Sequence, residues 1–213
     1  MSKIAFTAVL PLVFLSAGLG QNCALSGTPA WSKEVKDIIA DCDNRLTSPD
    51  RTLVLNIGIE GQIEISKPGS KEKTKAQARA VQPPAMASWS PKSSAFFVND
   101  GEGSGMSSVF RLFRIQSDHI VEDSTPQAQA VMLYRRLKEC GSKGNDPEVW
   151  GLGWSSDGTR LYLFIQATVH DPCGESASFI VATVILADDS LVEHFTEAAA
   201  KRKFRALLPH EVF

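Results

Sequence analysis

The sequence predicts an α+β fold, in which an antiparallel sheet carries helices on one face. Two observations predict it. A unit with three apolar strand-like runs, opened by Trp89 or Trp154, occurs twice, over 85–141 and 150–208. Each copy then ends in a helix-like segment that follows a threonine. A strand–strand–strand–helix unit used twice is a packing device, since each copy buries its apolar face against the other.

The first unit has strands over 95–98, 109–115 and 120–122. Aromatic residues occupy both faces of 109–115, so this strand is expected to be covered on both sides. Thr125 followed by proline is a helix start, with an N-cap and a proline at the first helical position.

The second unit repeats this order, with strands over 159–166, 178–186 and 191–194. Thr196 is the predicted N-cap of its helix, on which four apolar side chains share one face: Ala200, Phe204, Leu207 and Leu208. Pro209 is expected to stop that helix.

The first residues have the pattern of a secretory signal peptide over 1–20. Lys3 precedes an apolar run over 4–15, and small residues follow it up to Gly20, near the expected cleavage site. We therefore expect a periplasmic or secreted protein. No later apolar run has the length of about 20 residues that a membrane span requires, so no transmembrane anchor is expected in the mature chain.

The remaining N-terminal part, 21–66, is predicted to form a helix and a hairpin. Apolar residues in 31–42 have the spacing of one helix face. The β-branched run that begins at 52 and its continuation to 66 predict a hairpin, a candidate for a degenerate third copy of the unit. The polar, lysine-rich interval 67–84 is predicted to be a linker, and 85–213 the duplicated domain.

Four cysteines follow the predicted cleavage site, and in an exported chain an even number predicts two disulfides. Three pairings exist; neighbourhood in the sequence favours Cys23 with Cys42 and Cys140 with Cys173. A metal site is not expected, because no CxxC occurs and His170 stands beside Cys173 without further ligands nearby. No cofactor is predicted.

Charge and composition exclude some partners. The chain has 22 basic and 24 acidic residues and a formal net charge of −2. A balance so close to neutral gives no basis for nucleic acid or an anionic membrane surface as partner.

The two tryptophan turns resemble a repeat turn of known proteins. Trp89-Ser90-Pro91-Lys92 and the turn from Trp154 to Gly158 are similar to the WSPDG turns of β-propeller blades of the TolB and WD-repeat-like kind. The first departs from that pattern at the Asp and Gly, and the second at the Pro. The resemblance implies an alternative fold, an incomplete, propeller-like all-β structure.

Seven basic residues on the two predicted helices form the candidate binding surface. They are Arg135, Arg136, Lys138, Lys201, Arg202, Lys203 and Arg205. Such faces suit docking to an acidic protein or an anionic glycan. The alternative is a solvated face whose charges stabilise the helix C-termini.

Residues for catalysis are not singled out by any motif. The best candidates for a hydrolase are His170, Asp171, Glu122 and Glu193, the last two at equivalent places in the repeats. The segment 99–102 has oxygen donors for calcium, but not in the spacing of a calcium loop, and a plain turn is the simpler interpretation.

The sequence thus favours an exported, disulfide-stabilised, non-enzymatic domain that binds a protein or glycan of the cell envelope or the medium. A secreted hydrolase with dispersed active-site residues is the alternative, and a structural subunit of a larger assembly is a third interpretation.

Overall fold

The chain is built mainly of antiparallel strands. The computed structural model describes residues 35–103, 108–117, 119–138, 145–168 and 178–209. Within them lie three sheets. The first sheet contains β2 (Asn44–Thr47), β3 (Val54–Ile57), β4 (Ile63–Ser66) and β5 (Lys73–Lys75). The second contains β1 (Lys36–Ile38), β6 (Ala85–Trp89), β7 (Ala95–Asp100), β8 (Val109–Gln116) and β9 (His119–Asp123). The third contains β10 (Glu148–Trp154), β11 (Arg160–Gln166), β12 (Phe179–Ile185) and β13 (Leu191–Thr196).

The predicted α+β class is wrong. The described residues form 13 strands and only two short helices, α1 (Thr125–Leu137) and α2 (Glu197–Lys203). The repeated unit has four strands rather than three, because the residues before each tryptophan form a strand of their own, β6 or β10. Trp89 and Trp154 therefore end a strand instead of opening the unit. Each unit is an up-and-down meander, the strand order found in a propeller blade.

The helix predicted over 31–42 is also wrong in its described part. Lys36–Ile38 form β1, which pairs antiparallel with β6. Val35 and Ile38 are both buried, but Val35 contacts the core between the second and third sheets and Ile38 the core between the first and second. The helix-like spacing of these residues arises because the strand serves two cores.

The interval 67–84, predicted as a linker, contains β5 and the buried Val81. The Val81 N–H donates to the Gly61 carbonyl at 2.8 Å. This part of the chain is thereby attached to the β3–β4 turn of the first sheet.

One turn occurs in all three sheets, after β2, β6 and β10. Each turn begins at a serine: Ser48, Ser90 or Ser155. Its backbone N–H donates to the carbonyl of the residue five positions later, at 2.8–2.9 Å, and its Oγ accepts from the N–H of that same residue, at 2.9–3.2 Å. One residue in each turn has a left-handed backbone conformation, with positive φ: Arg51, Ser93 or Gly158. The hairpin 52–66 thus follows the same turn as the two tryptophan units, which is the serine–backbone bonding typical of such turns.

Aspartates complete the turn in the first and third sheets. Asp50 accepts from Ser48 Oγ at 2.7 Å and from the Thr52 N–H at 3.0 Å; Asp157 accepts from Ser155 Oγ at 2.5 Å and from the Thr159 N–H at 3.1 Å. These bonds, the serine hydroxyl first, lower the pKa of each carboxyl to about 2. The bonds favour the ionised form because a carboxylate is the stronger acceptor.

The second sheet lies between the other two and is buried on both faces, as the aromatic residues of β8 predict. Phe96 and Phe113 stack at 4.9 Å on the side of the first sheet. Phe97 lies 5.4 Å from Trp154 of the third sheet on the other side. Side chains from α1 close that second core, where Leu133 and Tyr134 are buried.

Each tryptophan joins its own sheet to the preceding one. Trp89 Nε1 donates to the Leu46 carbonyl of β2 at 3.0 Å, and Trp154 Nε1 donates to Ser88 Oγ of β6 at 3.1 Å. Leu46 and Ser88 occupy equivalent places, each two residues before the turn serine. The equivalent of the tryptophans in the first sheet is Thr47, which is exposed.

A second link joins the second and third sheets. The buried Asn99 side chain of β7 donates to the Gly151 carbonyl at 2.9 Å and accepts from the Gly151 N–H at 2.7 Å. The β10–β11 register shifts between Gly151 and Gly153. A Cβ on Gly151 would lie 2.6 Å from the Phe97 ring, so only glycine permits this close approach.

The two outer faces of the stack are covered differently. The far face of the third sheet packs Phe164 and Val181 against Ala200 of α2 and against Phe204 and Leu208 after it. The far face of the first sheet is largely polar, with Glu64 paired to Lys73 at 2.7 Å. Neither α1 nor α2, the helices of the described residues, has the length and apolar character that a membrane crossing requires.

We expect Asn99→Ala to lower the free energy of unfolding by about 2–4 kcal/mol, because it leaves two buried backbone groups of Gly151 without partners. Asn56→Ala is the control; its amide bonds Val54 and Ser66 within the first sheet, in a half-buried position. Urea unfolding of both variants measures the difference. Equal losses of unfolding free energy in the two variants would show that the Asn99–Gly151 contact between the sheets contributes no more than hydrogen bonds within one sheet.

We expect the double variant Asp50→Asn, Asp157→Asn to lose part of the pH dependence of stability below pH 4. Both carboxyls have pKa values lowered to about 2 in the folded chain, against about 3.9 when unfolded. Their contribution is therefore complete above the unfolded value and is lost as pH falls from about 4 to about 2. Thermal unfolding at a series of pH values tests this, with Asp43→Asn as an exposed control. Identical pH profiles would contradict it.

Candidate functional site

A buried arginine organises the polar residues of the second sheet. Arg111 of β8 holds Glu122 of β9 in a bidentate pair, with Nε–Oε1 at 2.7 Å and Nη2–Oε2 at 2.9 Å. Its Nη1 donates to Asp100 Oδ2 at 3.1 Å, and Nη2 also donates to the Arg79 carbonyl at 2.9 Å. Burial acts to lower the pKa of Arg111, but the carboxylates, Glu122 foremost, outweigh it, and the pKa is raised.

Asp100 is fully buried and satisfied by these neighbours. Its Oδ1 accepts from the backbone N–H groups of Gln82 at 3.0 Å and Glu102 at 3.1 Å. Glu102 itself pairs with Arg79 at 2.7 Å. The two acidic side chains of 99–102 are thus paired with arginines; Asn99 and Asp100 end strand β7, and the turn follows them rather than beginning at Asn99.

Of the hydrolase candidates, the two that the structure describes, Glu122 and Glu193, are not brought together. Glu122 lies on β9 of the second sheet and is held by Arg111, whereas Glu193 lies on β13 of the third sheet and pairs with Lys203 at 3.5 Å. His170 and Asp171 lie outside the described residues. The two carboxylates therefore lie in different sheets, and each is paired with a different cation: Glu122 with Arg111 of β8, and Glu193 with Lys203 of α2.

Another arginine bridges the second and third sheets. Arg114 Nε donates to Asp123 at 2.8 Å, Nη1 donates to the Leu186 carbonyl at 2.8 Å, and Nη2 pairs with Asp189. Burial raises the pKa of Asp189, with Asp123 adding to the effect and Arg114 opposing it. The two carboxylates share one guanidinium, so this contact is a structural junction.

The predicted basic helix faces are largely engaged within the chain. Arg135 pairs with Asp146, and Lys201 pairs with Glu197 at 2.8 Å. Lys203, besides its pair with Glu193, lies 3.9 Å from the centre of the Phe195 ring. Lys138 Nζ donates to Ser178 Oγ at 3.3 Å. The other three, Arg136, Arg202 and Arg205, are exposed. The docking role of these faces stays a prediction.

Cys42 is buried and is not a free thiol, whereas Cys23, Cys140 and Cys173 lie outside the described residues. The disulfide pairing stays a prediction. In the part of the chain that the structure describes, no group of three or more His, Cys, Asp or Glu side chains is arranged to hold a metal ion.

A cleft of about 460 Å³ lies where the first and second sheets meet. We call it the Trp89 cleft, and its lining residues are Lys36, Arg45, Leu46, Thr47, Pro49, Trp89 and Pro91. Leu46 and Trp89 form the floor, since they are 7% and 8% exposed and are joined by the indole–carbonyl hydrogen bond. Pro49 and Pro91, both exposed, come from equivalent places in two of the repeated turns.

The only charged groups that line the Trp89 cleft are the side chains of Lys36 and Arg45, both exposed. Within the described residues, no carboxylate comes within ion-pairing distance of either one. Asp37 follows Lys36 on β1; burial raises the pKa of its carboxyl, and the positive charge of Lys36 opposes this shift. The cleft thus combines an apolar floor with a positive rim.

The cleft walls are held in place by the turn between β1 and β2. Asn44 Nδ2 donates to the carbonyls of Ile39 at 2.9 Å and Cys42 at 3.0 Å, and Asn44 Oδ1 accepts from the Ile39 N–H at 2.8 Å. Cys42, in the same turn, is buried. Lys36 and Arg45 are thereby placed on two strands that a short, hydrogen-bonded connection joins.

Sequence reasoning missed this site. The tryptophan and proline turns were recognisable, but Lys36 and Arg45 belong to a segment predicted as a helix and to a strand too short to stand out. One signal was present: Pro49 and Pro91 occupy the same place after Ser48 and Ser90. Repeated turns lie at the same end of neighbouring sheets, which brings their prolines together.

We expect Arg111→Met to destabilise the chain by about 3–5 kcal/mol, since it leaves the buried Asp100 charge without its main partner. Arg79→Met, which removes the half-exposed arginine beside the same carboxylate, should cost about 1 kcal/mol or less. Urea unfolding measures both. Adding Asp100→Asn to Arg111→Met should restore part of the loss. Equal destabilisation by Arg111→Met and Arg79→Met would contradict this role of Arg111.

No family model matches the sequence, and no curated protein matches it. A search of solved structures finds a similarity to the structure of a putative TolB from Agrobacterium tumefaciens, with 14% sequence identity and a TM-score of 0.37. The match covers 70% of this chain and 44% of that one, so the chain spans less than half the length of that protein. A likeness of this extent assigns no activity to this chain.

Proposed function

We propose that the chain is an exported, disulfide-stabilised, non-enzymatic domain that binds a component of the cell envelope or the medium. The observation that carries the proposal is the Trp89 cleft, where an apolar floor formed by Leu46 and Trp89 lies beside two exposed cations that form no ion pair with a carboxylate of the described residues. Clefts that join an apolar surface to a few fixed polar groups are the usual form of a binding site.

The polar clusters of the described residues support binding rather than catalysis. Both carboxylate oxygens of Glu122 accept hydrogen bonds from Arg111, and Asp100 accepts from the same guanidinium. A general acid–base pair requires one carboxyl that is poised to exchange a proton with a substrate. Carboxylates held by bidentate arginine bonds are instead fixed acceptors, which is a structural role.

Export supports an extracellular target for this cleft. The first 20 residues predict a signal peptide, and Cys42, which follows β1 and precedes β2, is not a free thiol. An oxidising compartment would preserve a disulfide at that place. The bond would then stabilise the turn that positions Lys36 and Arg45.

We expect a partner from envelope and secreted fractions of the source organism to bind the mature chain and to be lost from the variant Lys36→Glu, Arg45→Glu. Reversing two rim charges repels a partner that those cations attract, while both side chains are exposed and their replacement should leave folding unchanged. Capture followed by quantitative mass spectrometry measures the loss.

The matched control is Lys71→Glu, Arg160→Glu, which changes the net charge equally at exposed residues outside both the cleft and the predicted basic helix faces. The proposal is supported only when a partner bound by the wild type is retained by the control and lost by the cleft variant. A partner captured equally by all three chains would place the contact elsewhere. Thermal unfolding of each variant confirms that the comparison is between folded proteins.

A further inference from the structure

The strands beside the Trp89 cleft are the end strands of their sheets. In the described residues β1 stands first in the order of the second sheet, and β2 stands first in the order of the first sheet. Three consecutive residues of β2, Arg45, Leu46 and Thr47, line the cleft. Consecutive side chains of a strand point to opposite faces, so a cleft that meets all three runs along the strand edge.

An open strand edge has a definite chemical preference. Its backbone N–H and C=O groups can pair with an extended peptide, and recognition by strand addition uses this pairing for affinity and side-chain pockets for specificity. Here the pocket floor is Leu46 and Trp89, and its sides are Pro49 and Pro91. Such surfaces accept apolar and proline side chains.

The positive charges at the rim of the cleft favour a negatively charged partner. Lys36 and Arg45 come from the two end strands, so they flank the cleft from both sheets. Arginine and lysine side chains that form no ion pair with a carboxylate of the described residues favour acidic residues in a ligand.

We propose that the Trp89 cleft binds an extended acidic segment of a partner protein, in which Asp or Glu residues stand next to apolar or proline residues. This inference rests on the proposed function, because it names the partner class for the same cleft. A peptide fits better than an anionic glycan: among the lining side chains only Thr47 offers a neutral polar group for sugar hydroxyls, whereas the floor is apolar and no strand of the described residues pairs with the outer edge of β2.

The test is selection from a random-sequence peptide display library on the immobilised mature chain. We expect selected peptides to be enriched in Asp and Glu beside apolar or proline residues. Their affinity should fall about tenfold or more for Lys36→Glu, Arg45→Glu and stay within about twofold for Lys71→Glu, Arg160→Glu, a tenfold change being the size of a single favourable charge contact. A parallel selection on the cleft variant should enrich Lys and Arg instead.

Two results would overturn the inference. One is the selection of peptides without acidic residues, or of peptides that bind all three chains equally. The other is binding of dextran sulfate that depends on Lys36 and Arg45 while no acidic peptide is selected, which would assign the cleft to anionic glycans. In that second case the proposed function still stands if partner capture depends on the cleft. Conversely, acidic peptides that bind the cleft without any captured partner would sustain the inference and count against the proposed function.

Discussion

Burial of the second sheet on both faces is the constraint on which the rest of the structure depends. A sheet whose two faces carry Phe96 and Phe113 on one side and Phe97 and Phe110 on the other cannot meet water on either. It therefore requires a covering layer on each side, and the first and third sheets supply these layers. The order of the sheets along the chain makes this simple, because each layer is adjacent in sequence to the one it covers.

Contacts between the sheets are specific as well as apolar. The indole N–H groups of Trp89 and Trp154 and the amide of Asn99 each reach a neighbouring sheet, and such buried hydrogen bonds fix one arrangement among those that apolar packing alone would permit. Arg111 and Arg114 act differently. Arg111 neutralises carboxylates within the second sheet, and Arg114 ties that sheet to the turn before β13.

The sequence predicted the duplication, the two tryptophan turns and the two-sided burial of β8, because these depend on local patterns. It did not predict β6 or β10. Ala85–Trp89 has no β-branched residue, and glycines at 151 and 153 interrupt the pattern of β10. Their strand state comes from pairing with β7 and β11, which no local signal records. The Trp89 cleft was unpredictable for a similar reason: Lys36, Arg45 and Trp89 are brought together only when two sheets meet.

The tryptophan link gives the stack a direction along the chain. The indole N–H at the end of β6 or β10 donates to the preceding sheet, and Thr47 stands at the equivalent place at the end of β2. The acceptor position of the third sheet is Gly153, and α2 already covers that sheet's far face. A gene duplication that inserts a new unit between existing ones would thus supply both a donor and an acceptor, whereas one appended after the third unit would first have to displace α2.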